Sequence, residues 1–292
     1  MARSMGMPVY LWVYAAQECR IRTGRHSMLT QIRTDNRIHG FLGRPGGAGK
    51  RPAVIHLHER NGIVQHTTDL AQKLVDAGYV TVVPDLFSRF TGGRQALACG
   101  DSCVELGNEE VLQDVATIIA YLHTLPEVDA DRIAMIGVCQ TGRQPILLSA
   151  YHDYLSGIVV MYGAVYNADW ESRPLHPEPI DKLLEEVSCP VQGIFVELDN
   201  LVSLDNILRM CTALAKAKKS FDIRVYADAP HGFLNDTMLG RYRAAQTQAA
   251  WSQILGFLDA VLNKGGNKER VIWRLESDTS LHYDFTKNRR WE

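Results

Sequence analysis

Apolar positions in this chain fall into two alternating rhythms. Residues 52–58 form a short, almost unbroken apolar run that closes at Glu59-Arg60-Asn61-Gly62. Leu70, Leu74 and Val75 then recur at helical spacing before Gly78, which predicts a helix over 67–77. Residues 79–83 are apolar again and end at Pro84. A strand, a helix and a strand in that order predict a parallel pair joined by a crossover helix. The same alternation continues downstream. A helix is predicted over 109–124, where Val111, Leu112, Val115, Ile118, Ile119 and Leu122 recur at three and four. Strands are predicted over 133–136, 157–161, 191–196 and 221–226. Helices are predicted after Pro145, from the N-cap Ser203 to about 218, and over 242–262. Residues 31–41 read as two edge strands around Thr34-Asp35-Asn36, and 44–50 as a loop rich in glycine.

Three stretches break the rhythm. Residues 85–107 show no clean period, and a loop that long in a compact domain is usually functional. Residues 167–188 are polar and proline-rich, and read as a rim. From Gly265 the chain is charged, with Trp273, Tyr283, Phe285 and Trp291 spaced through it. The expected organisation is an extension over 1–27, a domain over 28–263 and a tail over 264–292. The tail is expected to fold back on its own domain or to reach an interface, in a monomer or a homodimer.

At 292 residues and 46% hydrophobic, the chain has ample apolar material for one large core. A net charge of −2 leaves no electrostatic footprint for nucleic acid. No apolar run approaches the length of a membrane span. The six cysteines, at 19, 99, 103, 139, 189 and 211, match no paired zinc spacing and no disulfide framework. They fit a reducing compartment, so a cytoplasmic location is expected. Val13-Tyr14-Ala15 loosely resembles a signal-peptidase site, but Pro8 and Trp12 make a poor signal core.

The candidate chemistry centres on Gly137-Val138-Cys139-Gln140-Thr141-Gly142, between a predicted strand and a predicted helix. Glycines on both sides of the turn allow a sharp reversal that leaves Cys139 at its tip. This is a nucleophile elbow with cysteine in place of serine. The following helix turns its N-terminus toward the sulfur, which favours a thiolate. A packed, inert cysteine is the plain alternative. Asp199 follows the strand over 191–196, and His231 follows the strand over 221–226. Nucleophile, acid, histidine is the chain order of alpha/beta-hydrolase triads, and strand ends are where such sheets carry chemistry. Taken singly, Asp199 reads as a turn or capping residue and His231 as a loop residue. Their joint occurrence in order is what points to a triad. Glu59, after the first buried strand, is a fourth candidate for the same crevice, or a surface glutamate paired with Arg60. His56, His58 and Glu59 resemble half of a metal site, but no second cluster completes it, so no metal is expected.

These segments together resemble the dienelactone hydrolase (carboxymethylenebutenolidase) family of alpha/beta-hydrolases. The likeness rests on HERNG, GYVTVVPDLFSR, GVCQTG, ELDNLV and APHGF, in that order, between about Met28 and Leu262. It implies an α/β fold with a mostly parallel sheet of about eight strands and helices on both faces. It implies a Cys139–His231–Asp199 triad, with Glu59 contacting the resting cysteine. It also implies an oxyanion hole from the backbone N–H groups of Gln140 and Arg60, and Arg89 on a substrate carboxylate. For Arg89 the alternative is a solvated arginine paired with Asp85. The implied substrate is a small lactone or ester, with no cofactor. Two positions depart from the family. Thr141 stands where glycine is common, and Asn235 stands where a second carboxylate-binding arginine is found in well-known members. Another acyl hydrolase (a thioesterase or peptidase) and a non-catalytic small-ligand receptor are the rival readings.

Overall fold

The computed structural model describes residues 29–34, 38–267, 269–279 and 281. The extension over 1–27, the Asp35-Asn36 turn and the aromatic residues Tyr283, Phe285 and Trp291 lie outside the described residues.

The described chain builds one nine-stranded sheet in the order β1-β2-β4-β3-β5-β6-β7-β8-β9. The strands are β1 Leu29–Arg33, β2 His39–Gly43, β3 Arg51–His56, β4 Val80–Pro84, β5 Val128–Val138, β6 Leu155–Met161, β7 Val191–Leu198, β8 Phe221–Pro230 and β9 Trp273–Ser277. Only β1 and β2 run antiparallel to their neighbours; from β4 through β9 every pairing is parallel. The sheet is mostly parallel, as the alternating rhythm predicts. Parallel strands are covered on both faces, so their sequences read as continuous apolar runs. All five residues of β4 and all eight of β7 are buried.

The helices are α1 Gln65–Asp76, α2 Arg94–Cys99, α3 Asn108–Thr124, α4 Arg143–Tyr151, α5 Ile180–Glu186, α6 Leu204–Lys216 and α7 Ala244–Leu258. They divide between two cores. On one face Val111 and Ile118 of α3, Ile146 of α4, Leu183 of α5 and Ile207 of α6 pack with Ile55, Met135 and Val160. On the other, Leu70 and Leu74 of α1 and Ala250 and Ile254 of α7 pack with Val54, Ala134 and Val159. Adjacent strand residues thus serve opposite cores. Ser203 caps α6 as expected, its hydroxyl accepting from Asn206 N–H at 3.2 Å.

The expected long loop over 85–107 contains α2, which Asn61 ties down by donating to the carbonyls of Leu97 and Ala98. The polar rim over 167–188 contains α5, which buries Ile180, Leu183 and Leu184. The tail supplies β9, a ninth strand where about eight were expected. It pairs with β8 from Phe221↔Trp273 to Val225↔Ser277, on the same domain. Trp273 Nε1 also donates to the Lys219 carbonyl at 3.0 Å. Among the described residues no helix is long and apolar enough to cross a membrane.

Candidate active site

The elbow is held by close backbone contact. Cys139 has φ 53°, a left-handed conformation that a side-chain-bearing residue adopts at a cost. A 3-10 turn over Cys139–Gly142 leads straight into α4. A Cβ on Gly137 would overlap the Thr141 carbonyl oxygen. One on Gly142 would lie 2.8 Å from Gly163 Cα, and one on Gly163 would overlap the Cys139 carbonyl oxygen. Thr141, the departure from the family elbow, is fully buried. Its hydroxyl accepts from Val138 N–H at 3.0 Å and donates to the Val138 carbonyl at 3.1 Å. Threonine therefore ties the end of β5 to the turn, a bond that glycine lacks.

Three strand ends meet at the sulfur. Cys139 Sγ lies 3.1 Å from His231 Nε2, and His231 Nδ1 lies 2.9 Å from Asp199 Oδ2 and 3.2 Å from Oδ1. All three residues are buried. Asp199 Oδ1 also accepts from the N–H groups of Leu201 and Val202, at 2.7 and 3.1 Å, which fixes the carboxylate for the imidazole. Burial presses the His231 pKa down. The Asp199 carboxylate and its hydrogen bond, together with Cys139, outweigh it, and the pKa stands well above 6.5.

Two tyrosines that sequence reasoning missed border the sulfur. Tyr162, at φ 38°, follows β6 directly. It packs edge-on against His231, ring centroids 4.9 Å apart, and its hydroxyl donates to Glu59 Oε1 at 3.4 Å. Tyr166 Oη lies 3.9 Å from Cys139 Sγ. Burial, then the charges of Glu59 and Cys139, raise the Tyr162 hydroxyl well above 10; burial and Cys139 do the same for Tyr166. Both stay protonated donors. A tyrosine after the strand over 157–161, at the same topological level as Cys139 and Asp199, was the available signal.

The remaining candidates are placed as follows. Glu59 is half-buried at a tight turn closed by Gly62 N–H to its carbonyl at 3.0 Å, and reaches the site through Tyr162. Arg60 follows it, with its guanidinium on the Gly100 carbonyl at 3.2 Å. Gln140 is the first residue after Cys139, and its amide nitrogen donates to the Val104 carbonyl at 2.5 Å. His58 is structural. Its Nε2 accepts from Leu86 N–H at 3.1 Å, so Nδ1 donates to the Glu59 carbonyl at 2.7 Å. Burial lowers the His56 pKa to about 3 and keeps that ring neutral. Among the described residues no group of three or more His, Cys, Asp or Glu could hold a metal ion.

Arg89 differs from expectation. Its Nη1 donates to Asp114 Oδ2 at 2.5 Å, its Nη2 lies 2.5 Å from Oδ1, and Glu110 is 3.2 Å away. The fork expected for a substrate carboxylate is occupied by α3. Asp85, the partner considered above for Arg89, is instead paired with Arg94 at 2.9 Å. Asn235 supplies no cation, and its Oδ1 accepts from Thr237 N–H and Oγ1 at 3.0 and 2.6 Å.

A mostly parallel sheet with an elbow after its central strand and an acid and a histidine at the ends of later strands defines an alpha/beta-hydrolase. The dienelactone hydrolase family profile matches residues 38–262, and the chain belongs to that family of hydrolases. It is similar to a candidate carboxymethylenebutenolidase of Methylorubrum extorquens, 26% identical over 227 residues, 75% of this chain and 76% of that one. A candidate 2-oxo-3-(5-oxofuran-2-ylidene)propanoate lactonase of Bradyrhizobium is 26% identical over 221 residues, 75% of this chain and 87% of that one. Among solved structures, a candidate dienelactone hydrolase from Klebsiella pneumoniae superposes with a TM-score of 0.71 at 25% identity, covering 79% of this chain and 96% of that chain.

Proposed function

We propose that this protein opens a lactone or small carboxylic ester by covalent catalysis at Cys139. The observation that carries the reading is Cys139 Sγ on a strained turn, 3.1 Å from an imidazole that a fixed carboxylate holds from behind. The names of the M. extorquens and Bradyrhizobium relatives, both enzymes of ester or lactone opening by name, fit it.

The thiol proton rests on His231 Nε2, whose pKa stands well above 6.5, and the Cys139 thiolate attacks the carbonyl carbon. Asp199 holds the imidazole in the tautomer that receives the proton at Nε2 and stabilises the imidazolium. The carbonyl oxygen becomes an oxyanion, held by the backbone N–H groups of Gln140 and Arg60. Such a donor is worth about 3–4 kcal/mol of barrier where one has been removed from other enzymes. The carbon–oxygen bond breaks, His231 returns its proton to the leaving alkoxide, and a thioester remains on Cys139. In a lactone the alkoxide stays tethered as a hydroxyl. Water then attacks the thioester with His231 as base, and the thiol leaves with the proton. Tyr166 Oη is near enough to donate to the sulfur at rest, and Glu59 acts on the same crevice through Tyr162.

The test is hydrolysis of a panel of lactones and aryl esters by the purified protein and by Cys139→Ala. Turnover by the parent and none by the variant is expected. Equal turnover by both removes Cys139 from the chemistry.

A further inference from the structure

Beside the elbow lies a cavity of about 180 Å³, whose lining includes Gln140, Arg143, Gln144, Tyr166, Asp169 and Arg173. Tyr166 belongs to both places, since its hydroxyl is 3.9 Å from Cys139 Sγ. The cavity therefore adjoins the reacting sulfur.

Its wall is poorly satisfied. Arg143 is 97% buried, with 3% of its surface exposed. Its Nη2 donates to the Glu178 carbonyl at 2.5 Å, but Nε and Nη1 have no hydrogen-bond partner. The nearest carboxylate, Asp169, is 3.7 Å from Nη1, beyond hydrogen-bond distance. Arg173 shares that same carboxylate at 3.5 Å, and its Nε is also unpartnered. Glu105 sits at the mouth, 3.0 Å from Arg173 and 3.4 Å from His176, and is mostly exposed. Arg143 and Arg173 thus share Asp169, Glu105 answers Arg173, and Arg143 has Asp169 only beyond hydrogen-bond distance. Burial is the main influence on the Arg143 guanidinium, pressing its pKa down, and Asp169 only partly offsets it. Two acceptors are unmatched as well, Gln140 Oε1 and Gln144 Oε1. Buried polar atoms are nearly always paired. Here donors and acceptors are left open together, around one cavity next to a nucleophile. A bare carboxylate would satisfy the arginines and leave the glutamine oxygens unmet. A carboxylate with a neighbouring hydroxyl satisfies the arginines and, through its one O–H, one of those oxygens.

We propose that this cavity recognises the substrate's acid arm, taking a hydroxylated carboxylate with its carboxylate on Arg143 and its hydroxyl donating to Gln144 Oε1. The substrate class is then an ester or lactone of a hydroxy-dicarboxylic acid. This rests on the reading of Cys139 as the nucleophile. It places the cationic grip on α4, away from Arg89.

Three esters of like size test it: ethyl butyrate, monoethyl succinate and 4-ethyl malate. Binding is measured by calorimetry to the inert Cys139→Ala protein, and turnover of the same esters by proton release with the parent. The malate ester is expected to bind at least tenfold more tightly than ethyl butyrate, with the succinate ester between them. Added to Cys139→Ala, Arg143→Lys should erase most of the advantage of both acids, because lysine lacks the fork. Gln144→Met should remove only the advantage of malate over succinate, a selective loss that a general packing defect would not produce. Should Arg143→Lys fail to fold, Arg173→Gln is expected to reduce the preference for both acids at least threefold. Equal binding of the three esters overturns the proposal and makes the cavity a water-filled gap. Turnover of ethyl butyrate with equal binding of all three leaves the hydrolase reading standing and removes the subsite. Selective binding with no turnover of any ester does the reverse.

Discussion

Gly142 and Gly163 touch backbone to backbone, and the elbow that presents Cys139 rests on that contact. A Cβ on Gly142 would come within 2.8 Å of Gly163 Cα and 3.1 Å of Ala164 N, and one on Gly163 would overlap the Cys139 carbonyl oxygen. The start of α4 is thereby pinned to the end of β6. Gly163→Ala is expected to force the two apart and destabilise the protein by about 2–3 kcal/mol, the usual range for overpacking. Urea unfolding measures it. A variant as stable as the parent would mean that the elbow tolerates displacement.

Glu59 meets the site through Tyr162, whose hydroxyl bonds it while the ring packs edge-on against His231. Removing the carboxylate charge should make the sulfur more reactive, because two anions share a buried crevice poorly. Glu59→Gln is expected to be alkylated by iodoacetamide at Cys139 at least threefold faster than the parent at pH 6. Unchanged labelling would make Glu59 a bystander.

Arg89 neutralises Asp114, a carboxylate that is 1% exposed. Arg89→Ala leaves that buried charge unpaired. The expected loss is about 1–3 kcal/mol, below the cost at a fully buried pair because Arg89 itself is half-exposed. The ratio of kcat/KM for an anionic ester to that for a matched neutral ester should stay the same. A collapse of that ratio with full stability would return Arg89 to the substrate.

Asp169 supplies a pH dependence. Burial raises its pKa from 3.8 to about 6, against the pull of Arg143 and Arg173. The folded state therefore holds this proton more tightly than the unfolded chain does. The contribution is fully present below pH 3.8 and is lost as pH rises to 6, amounting to about 3 kcal/mol. Asp169→Asn should match the parent near pH 4 and exceed it in stability at pH 7. Thermal melts across that range check the sign, and parallel curves would contradict it.

The sheet and the meeting of Cys139, His231 and Asp199 were legible because both leave marks in local sequence. Buried parallel strands read as apolar runs, and an elbow needs small residues at fixed places such as Gly137 and Gly142. The parts that escaped have no such period. α2 spans six residues and buries only Leu97. β9 is exposed at every position, and its brief Trp273-Arg274-Leu275-Glu276 alternation sits in a charged stretch, so its pairing with β8 is what defines it. The ion pair of Arg89 went unseen because its partner lies 25 residues away on α3. A charged Asp114 among Val111, Val115 and Ile118 on a buried helix face was the overlooked sign of a buried ion pair. The open donors of Arg143 depend on where Asp169 and Glu178 sit, which no spacing reports.

The most direct measurement is the mass of the protein during turnover. Mixing with an ester and quenching in acid within milliseconds should yield a species heavier by the acyl group, with the added mass on the peptide that contains Cys139. It should decay at the rate of product formation, and Cys139→Ala should never show it. Steady turnover with no acylated protein, or with the acyl group on another residue, would contradict covalent catalysis at Cys139.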